Sequence, residues 1–221
     1  KDECRVNLLF HKNMILHHFF VPAVINATWF NIFNGNIKTE MDLRKFLLIK
    51  RKELKYEFYL PKTSEMLAEG IRIIEYSIGR KMNRIEDVVH FSVDELYLVA
   101  EKVRRFSSAL SYIYEAYYIS VVTVKYLCEA PFTEEKFLQV GKELFEMEKE
   151  HGRVVKYSES FTIPKMKATL NYLLNLNLIE KIGKEQYRVL DESKVCYMIE
   201  KFARDVRDQI SINLKFNAGN E

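Results

Sequence analysis

The chain has 221 residues, 48% of them hydrophobic and 29% charged, which excludes a disordered chain and an ordinary membrane protein and leaves room for one large domain or two modest ones. With 34 basic residues against 31 acidic ones, the net charge of +3 gives no bulk electrostatic case for a nucleic-acid partner. Seven glycines and four prolines supply too little punctuation for a β-rich fold and favour long helices.

The stretch Phe10 to Phe30, FHKNMILHHFFVPAVINATWF, holds three of the five histidines and the only tryptophan. A bilayer-spanning helix needs roughly 20 apolar residues. Here Asn13, His17, His18 and Asn26 interrupt the run, so a buried helix over residues 4–33, kinked near Pro22, fits better. After the break at Asn34 to Glu40, Thr39 is placed to cap a helix over 40–58. That helix sets Leu43, Phe46, Leu47, Ile49 and Leu54 on one stripe. Its basic run, LLIKRKELK with Arg44 and Lys45, reads as a solvated face or as a surface drawn to anionic lipid heads.

Pro61 opens the next helix, with Met66, Leu67, Ile71 and Ile74 spaced for burial. GRKMNRIEDVVHFSVDE then reads as two short strands, and Ser92 or Asp94 caps a long tyrosine-rich helix reaching about Leu127. The tyrosines are expected in inter-helix packing, with a membrane-interface or partner surface as the lesser reading. Thr133 marks another helix start, and a polar link spans 152–160. A helix over 164–176 leads into strands Leu178 to Ile182 and Gln186 to Leu190 around a Gly183–Lys184 turn. A last helix runs from about Glu192 to Leu214.

Two segments repeat one another: LPKTSEMLAEGIRIIEYSIG (60–79) and IPKMKATLNYLLNLNLIEKIG (163–183) both open on an apolar residue, Pro and Lys. The order helix, helix, β-hairpin, helix is that of a winged-helix unit. The expected architecture is therefore mainly α, with two small β-hairpins in tandem winged-helix-like units. It divides into an N-terminal apolar docking helix (1–38), a first unit (39–130) and a second unit (131–221). DNA binding by these units is disfavoured, because helix 61–78 carries Glu65, Glu69 and Glu75 against Lys62 and Arg72.

Cys4, Cys128 and Cys196 lie far apart with no paired spacing and read as reduced thiols. His11 and His17–His18 have no Cys, Asp or Glu beside them at ligand spacing, so no metal and no cofactor are expected. No nucleophile elbow and no glycine-rich phosphate loop occurs, and no self-contained catalytic site is visible. The chain opens on KDECRVN, without a charged-then-apolar leader or an initiator methionine, and is expected to be a fragment.

The first block, NLLFHKNMILHHFFVPAVINATWF, resembles one found downstream of the catalytic region in membrane-associated glycerol-3-phosphate acyltransferases. Family members show there a Tyr-Tyr-Arg-Asn-like start, a histidine, an apolar run and Pro-Ala/Ser-Leu. Phe10, His11, Lys12 and Asn13 occupy the start, His17 the histidine place and Pro22 the proline place, with His11 departing from the usual aromatic. LLIKRKELKYEFYLP and LNYLLNLNLIEK extend the likeness more weakly.

The resemblance implies a full enzyme that moves a fatty acyl group from acyl-CoA or acyl-carrier protein to the sn-1 hydroxyl of glycerol 3-phosphate. This is the first step of phospholipid synthesis, peripheral at the cytoplasmic membrane face. The family's chemistry rests on a His-x4-Asp motif, and no histidine here has aspartate five positions on; His90 and Asp94 are separated by three residues. The implied role is a C-terminal scaffold, inactive alone, whose partner is the acyltransferase domain of its own chain. Lys12, Asn13, His17 and Pro22 are then the docking residues. Two alternatives stand beside it: a tandem winged-helix module binding nucleic acid or protein, and the corresponding region of a dihydroxyacetone-phosphate acyltransferase.

Overall fold

The computed structural model describes residues 16–55, 60–106, 109–154, 160–183 and 185–217. It is mainly helical, and the β-structure among the described residues is one small three-stranded antiparallel sheet. The chain divides into two compact units, residues 1–110 with 212–221 and residues 111–211.

In the first unit a 3-10 turn, Leu16–Phe19, feeds helix α1, Phe20–Phe33. Every residue of α1 from Phe20 to Trp29 is buried, the mark of a helix apolar all round and enclosed by its neighbours. Trp29 Nε1 donates to the carbonyl of Leu96 at 2.9 Å, and its ring meets Phe91 edge-on at 6.4 Å. Helix α1 runs without a break through Pro22. Pro22 is the third residue of α1, where a backbone N–H has no intrahelical acceptor and its loss costs nothing. Residues 4–15 of the expected helix lie outside the described residues.

Helix α2, Glu40–Leu54, begins as expected: Thr39 accepts from Asp42 N at 3.2 Å while Asp42 accepts from Thr39 N at 3.0 Å. Its buried stripe is Leu43, Leu47, Lys50 and Leu54, so Ile49 faces solvent and a lysine takes its place inside. Helix α3, Thr63–Ile78, buries Met66 and Ile74 and ends at Gly79, whose φ of 72° closes the turn.

The strands expected between residues 79 and 95 are not formed. Ile85–His90 is a 3-10 segment, because Ile85 and Val88 recur every three residues and bury one eclipsed face, whereas a strand needs alternation by two. Charges fix it from outside: Arg84 pairs with Glu40 at 2.6 Å and with Asp87 at 3.1 Å, and Arg44 with Glu86 at 2.5 Å. The long tyrosine-rich helix is also divided. Helix α4, Val93–Val103, is capped by Ser92 and tightens into a 3-10 turn at Arg104–Phe106.

The second unit is built on α5, Ser111–Tyr126, buried from Ser111 to Val121. Tyr117 sits against Tyr172 and Phe202 at centroid distances of 4.8 and 5.4 Å. Strand β1, Phe132–Thr133, runs into α6, Glu134–Glu150, capped by Thr133. Helix α7, Ile163–Asn175, leads to β2, Ile179–Ile182, and β3, Gln186–Val189, with Gly183 at φ 69° in their turn. The sheet order is β1-β3-β2, with Phe132 opposite Tyr187 and Ile179 opposite Val189. Helix α8, Glu192–Asn217, follows. The repeat seen in the sequence thus holds for the Pro-opened helices α3 and α7 and fails for the hairpin, which only the second possesses among the described residues.

Candidate functional site

Of the residues singled out in the first block, Lys12 and Asn13 lie outside the described residues, as does His11. His17 belongs to the 3-10 turn that introduces α1, and Pro22 follows in the first helical turn. The apolarity that suggested a docking helix is satisfied from Phe20 to Trp29 by the first unit itself. Pro22 also forms one wall of an open groove of about 560 Å³ with Arg72, Tyr76, Lys102 and Phe106. Tyr76 is 82% exposed there.

The remaining histidines do not converge. His90 stands 4.0 Å from Glu40 at the surface, and His151 Nδ1 lies 3.3 Å from Arg153. No group of three or more metal-ligating side chains occurs among the described residues.

The most developed polar constellation is in the second unit, beside a cavity of about 510 Å³ between α5, the end of α6 and α8. Glu148 is 3% exposed and accepts from the Tyr118 hydroxyl at 2.8 Å, from Arg153 Nη2 at 2.6 Å and from Arg153 Nε. Burial, reinforced by the Glu148 carboxylate, pushes the Tyr118 phenol up to about 12. Burial also pushes Glu148 upward, but the hydrogen bonds from Arg153 and Tyr118 outweigh it and leave the carboxyl below its ordinary value. A general acid or base works best with a pKa near the operating pH. Both groups are moved away from neutrality, so the trio is a structural clamp rather than a proton-transfer site.

The sequence hid this clamp inside EMEKEHGR, a run that reads as a solvated helix end. The signal was the apolar stripe of α6: Val140, Gly141, Leu144 and Phe145 lead to 148 as the next inward position. Lys50 follows the same logic on α2. It lies on the inner stripe beside Glu53, with Nζ to Oε2 at 3.2 Å and side-chain exposures of 5% and 3%.

The outer face of α2 is different in kind. Met41, Arg44, Lys45, Leu48 and Lys52 lie on one side of the helix and are all exposed, with no acidic residue among them. No helix among the described residues is long and apolar enough to cross a membrane.

In comparison with known proteins, the family model described as the glycerol-3-phosphate acyltransferase C-terminal region matches residues 1–182. Neither the curated proteins nor the solved structures return a match. With most of its length covered, the chain belongs to the glycerol-3-phosphate acyltransferase C-terminal region family.

Proposed function

We propose that this chain is the scaffold of a glycerol-3-phosphate acyltransferase and carries no acyl-transfer chemistry of its own. The family match over residues 1–182 carries this reading, and the lack of a His-x4-Asp pair anywhere in the sequence supports it. In the intact enzyme the acyltransferase domain takes the acyl group from acyl-CoA or acyl-carrier protein and delivers it to the sn-1 hydroxyl of glycerol 3-phosphate. The block containing Lys12, Asn13, His17 and Pro22 meets that domain. What supports this is the open groove at Pro22, a partly apolar surface where the exposed Tyr76 stands with Glu69, Arg72 and Lys102.

Peripheral placement on a membrane's cytoplasmic face belongs to the same reading. It is supported by the outer face of α2, where the exposed Met41 and Leu48 stand beside Lys45 and Lys52. A winged-helix-like arrangement of the second unit is supported by the succession α5, β1, α6, α7, β2, β3 with β3 between its two partners. The test is to express the acyltransferase domain and residues 1–221 as separate chains and pass the mixture over a sizing column. Co-elution is expected, weakened by Tyr76→Glu; independent elution would sink the scaffold role.

A further inference from the structure

The cavity of about 510 Å³ beside the Glu148 clamp receives arginines from two separate elements of the second unit. Arg153 comes from the turn that ends α6, and Arg204 and Arg207 come from α8. Glu200 is the one carboxylate that lines the cavity with them. The rest of the lining is mostly apolar, with Ile199, Ala203 and Val206 of α8 beside Tyr118.

Arg153 is fixed in place by the fold. Gly152, at φ 69°, ends α6, and the Arg153 N–H returns to the Glu148 carbonyl at 2.9 Å, a closure that a left-handed glycine allows. The Glu148 carboxylate then holds the guanidinium through Nε and Nη2, while the Arg153 side chain stays 52% exposed. A guanidinium already held in one position loses little further freedom when it meets a ligand. Arg204 and Arg207 lie three residues apart, one turn of α8, are exposed, and form no ion pair among the described residues. Glu148 offsets the charge of Arg153, and Glu200 faces two further arginines, so positive charge is in excess. Hydrogen-bond donors are in larger excess, because a guanidinium carries several N–H groups and no acceptor.

From these observations we infer that the cavity binds an organic phosphate monoester, its terminal oxygens on Arg153, Arg204 and Arg207 and its carbon body against Tyr118, Ile199 and Val206. A phosphate monoester offers three strong acceptor oxygens, enough for one on each arginine, whereas a carboxylate offers two. A bare phosphate ion would leave the apolar lining wet in a cavity whose size falls in the range of roughly 300 to 1,000 Å³ usual for small-molecule sites. Such a group can arrive on a soluble metabolite or on a lipid, and the arginines read the chemistry the two share. Binding makes and breaks no covalent bond, and it stands independently of the scaffold role.

The experiment is calorimetric titration of the chain of residues 1–221 with phenyl phosphate, dihexanoyl phosphatidate below its micellar concentration, benzoate and inorganic phosphate. At least one of the two monoesters is expected to bind one per chain; a stronger phenyl phosphate points to a soluble source and a stronger phosphatidate to a lipid. Benzoate and inorganic phosphate should each bind at least tenfold more weakly than the better monoester. Arg204→Gln and Arg207→Gln should each weaken that monoester roughly tenfold, the low end for a charge-assisted hydrogen bond because both side chains are exposed. Lys136→Gln removes an exposed positive charge of the same unit outside the cavity and should leave binding unchanged. Ala203→Trp, which fills the apolar part of the cavity, should abolish binding. If either arginine variant does not fold by far-ultraviolet circular dichroism, the other and Ala203→Trp decide the matter. Binding of neither monoester, equal binding of benzoate or inorganic phosphate, an equal loss in Lys136→Gln, or undiminished binding by a folded arginine or Ala203→Trp variant would overturn the assignment.

Discussion

Replacing Glu148 with glutamine changes one atom of a buried clamp and tests whether that clamp holds the second unit together. The carboxylate accepts three hydrogen bonds, one from Tyr118 and two from Arg153. Glutamine keeps one acceptor oxygen but turns an amide N–H₂ towards donors. Breaking a fully buried ion pair costs about 3–5 kcal/mol. Arg153 is 52% exposed, however, so water recovers part of its guanidinium and the expected loss falls to about 1.5–3 kcal/mol. Tyr118→Phe removes a single donor and leaves Glu148 with Arg153, for about 1–2 kcal/mol. The double variant should cost less than the sum by at least about 0.5 kcal/mol, because the two residues share a bond. The assay is urea denaturation at neutral pH followed by near-ultraviolet circular dichroism, which reports the buried tyrosines Tyr112, Tyr114, Tyr117 and Tyr118 of α5. A Glu148→Gln unfolding free energy within about 0.5 kcal/mol of the parent, or strictly additive variants, would refute the clamp.

The same clamp predicts a pH dependence. Because its hydrogen bonds hold Glu148 below the ordinary 4.5, its contribution is complete above pH 4.5 and lost as pH falls through the folded-state value. The stability difference between parent and Glu148→Gln should therefore shrink in acid, and a constant difference from pH 7 to 3 would contradict it. In alkali Tyr118, raised to about 12, should be the late component of a tyrosinate absorbance titration and vanish in Tyr118→Phe. At Gly70 an added Cβ would meet Ile85 Cδ1 at 3.1 Å and Ile25 Cδ1 at 3.2 Å. Both are ends of flexible side chains, so Gly70→Ala should fall within about 1 kcal/mol of the parent, helix propensity offsetting the crowding. Gly70→Leu should lose about 1–3 kcal/mol or more by thermal melting. On vesicles containing anionic lipid, neutralising Lys45 and Lys52 together should lower partitioning roughly 30-fold, at about 1 kcal/mol per charge, with no change on neutral vesicles. Equal partitioning of parent and variant would remove α2 from the membrane.

Where chemistry is local, the sequence was legible. Thr39, Ser92 and Thr133 cap helices because a hydroxyl three residues ahead of a backbone N–H is all that the cap needs. The β2–β3 turn was legible for the same reason, since Gly183 adopts a φ that other residues resist. What sequence reasoning missed depends on partners far along the chain. Strand β1 has two residues, too few to show alternation, and exists through its pairing with β3. The 3-10 segment was read as strand because Ile85, Val88 and Val89 are β-branched, while their spacing of three carried the true answer. Lys50 lies in the basic run that reads as a solvated face, and Glu148 draws no reading at all, although the positions of both continue the inward stripes of α2 and α6. Residue type outweighed position in both readings, and position was the better guide. The family was legible from the first block alone, whose Lys12 and Asn13 lie outside the described residues.

The central claim is that these residues support acyl transfer without performing it. The direct measurement is incorporation of labelled glycerol 3-phosphate into a 1-acyl product, with acyl-CoA and acyl-carrier-protein donors, by residues 1–221 alone, by the acyltransferase domain alone and by the two together. The account predicts background for the first, weak or no turnover for the second and a marked gain for the mixture. Turnover by residues 1–221 alone, or an acyltransferase domain equally active with and without them, would contradict it.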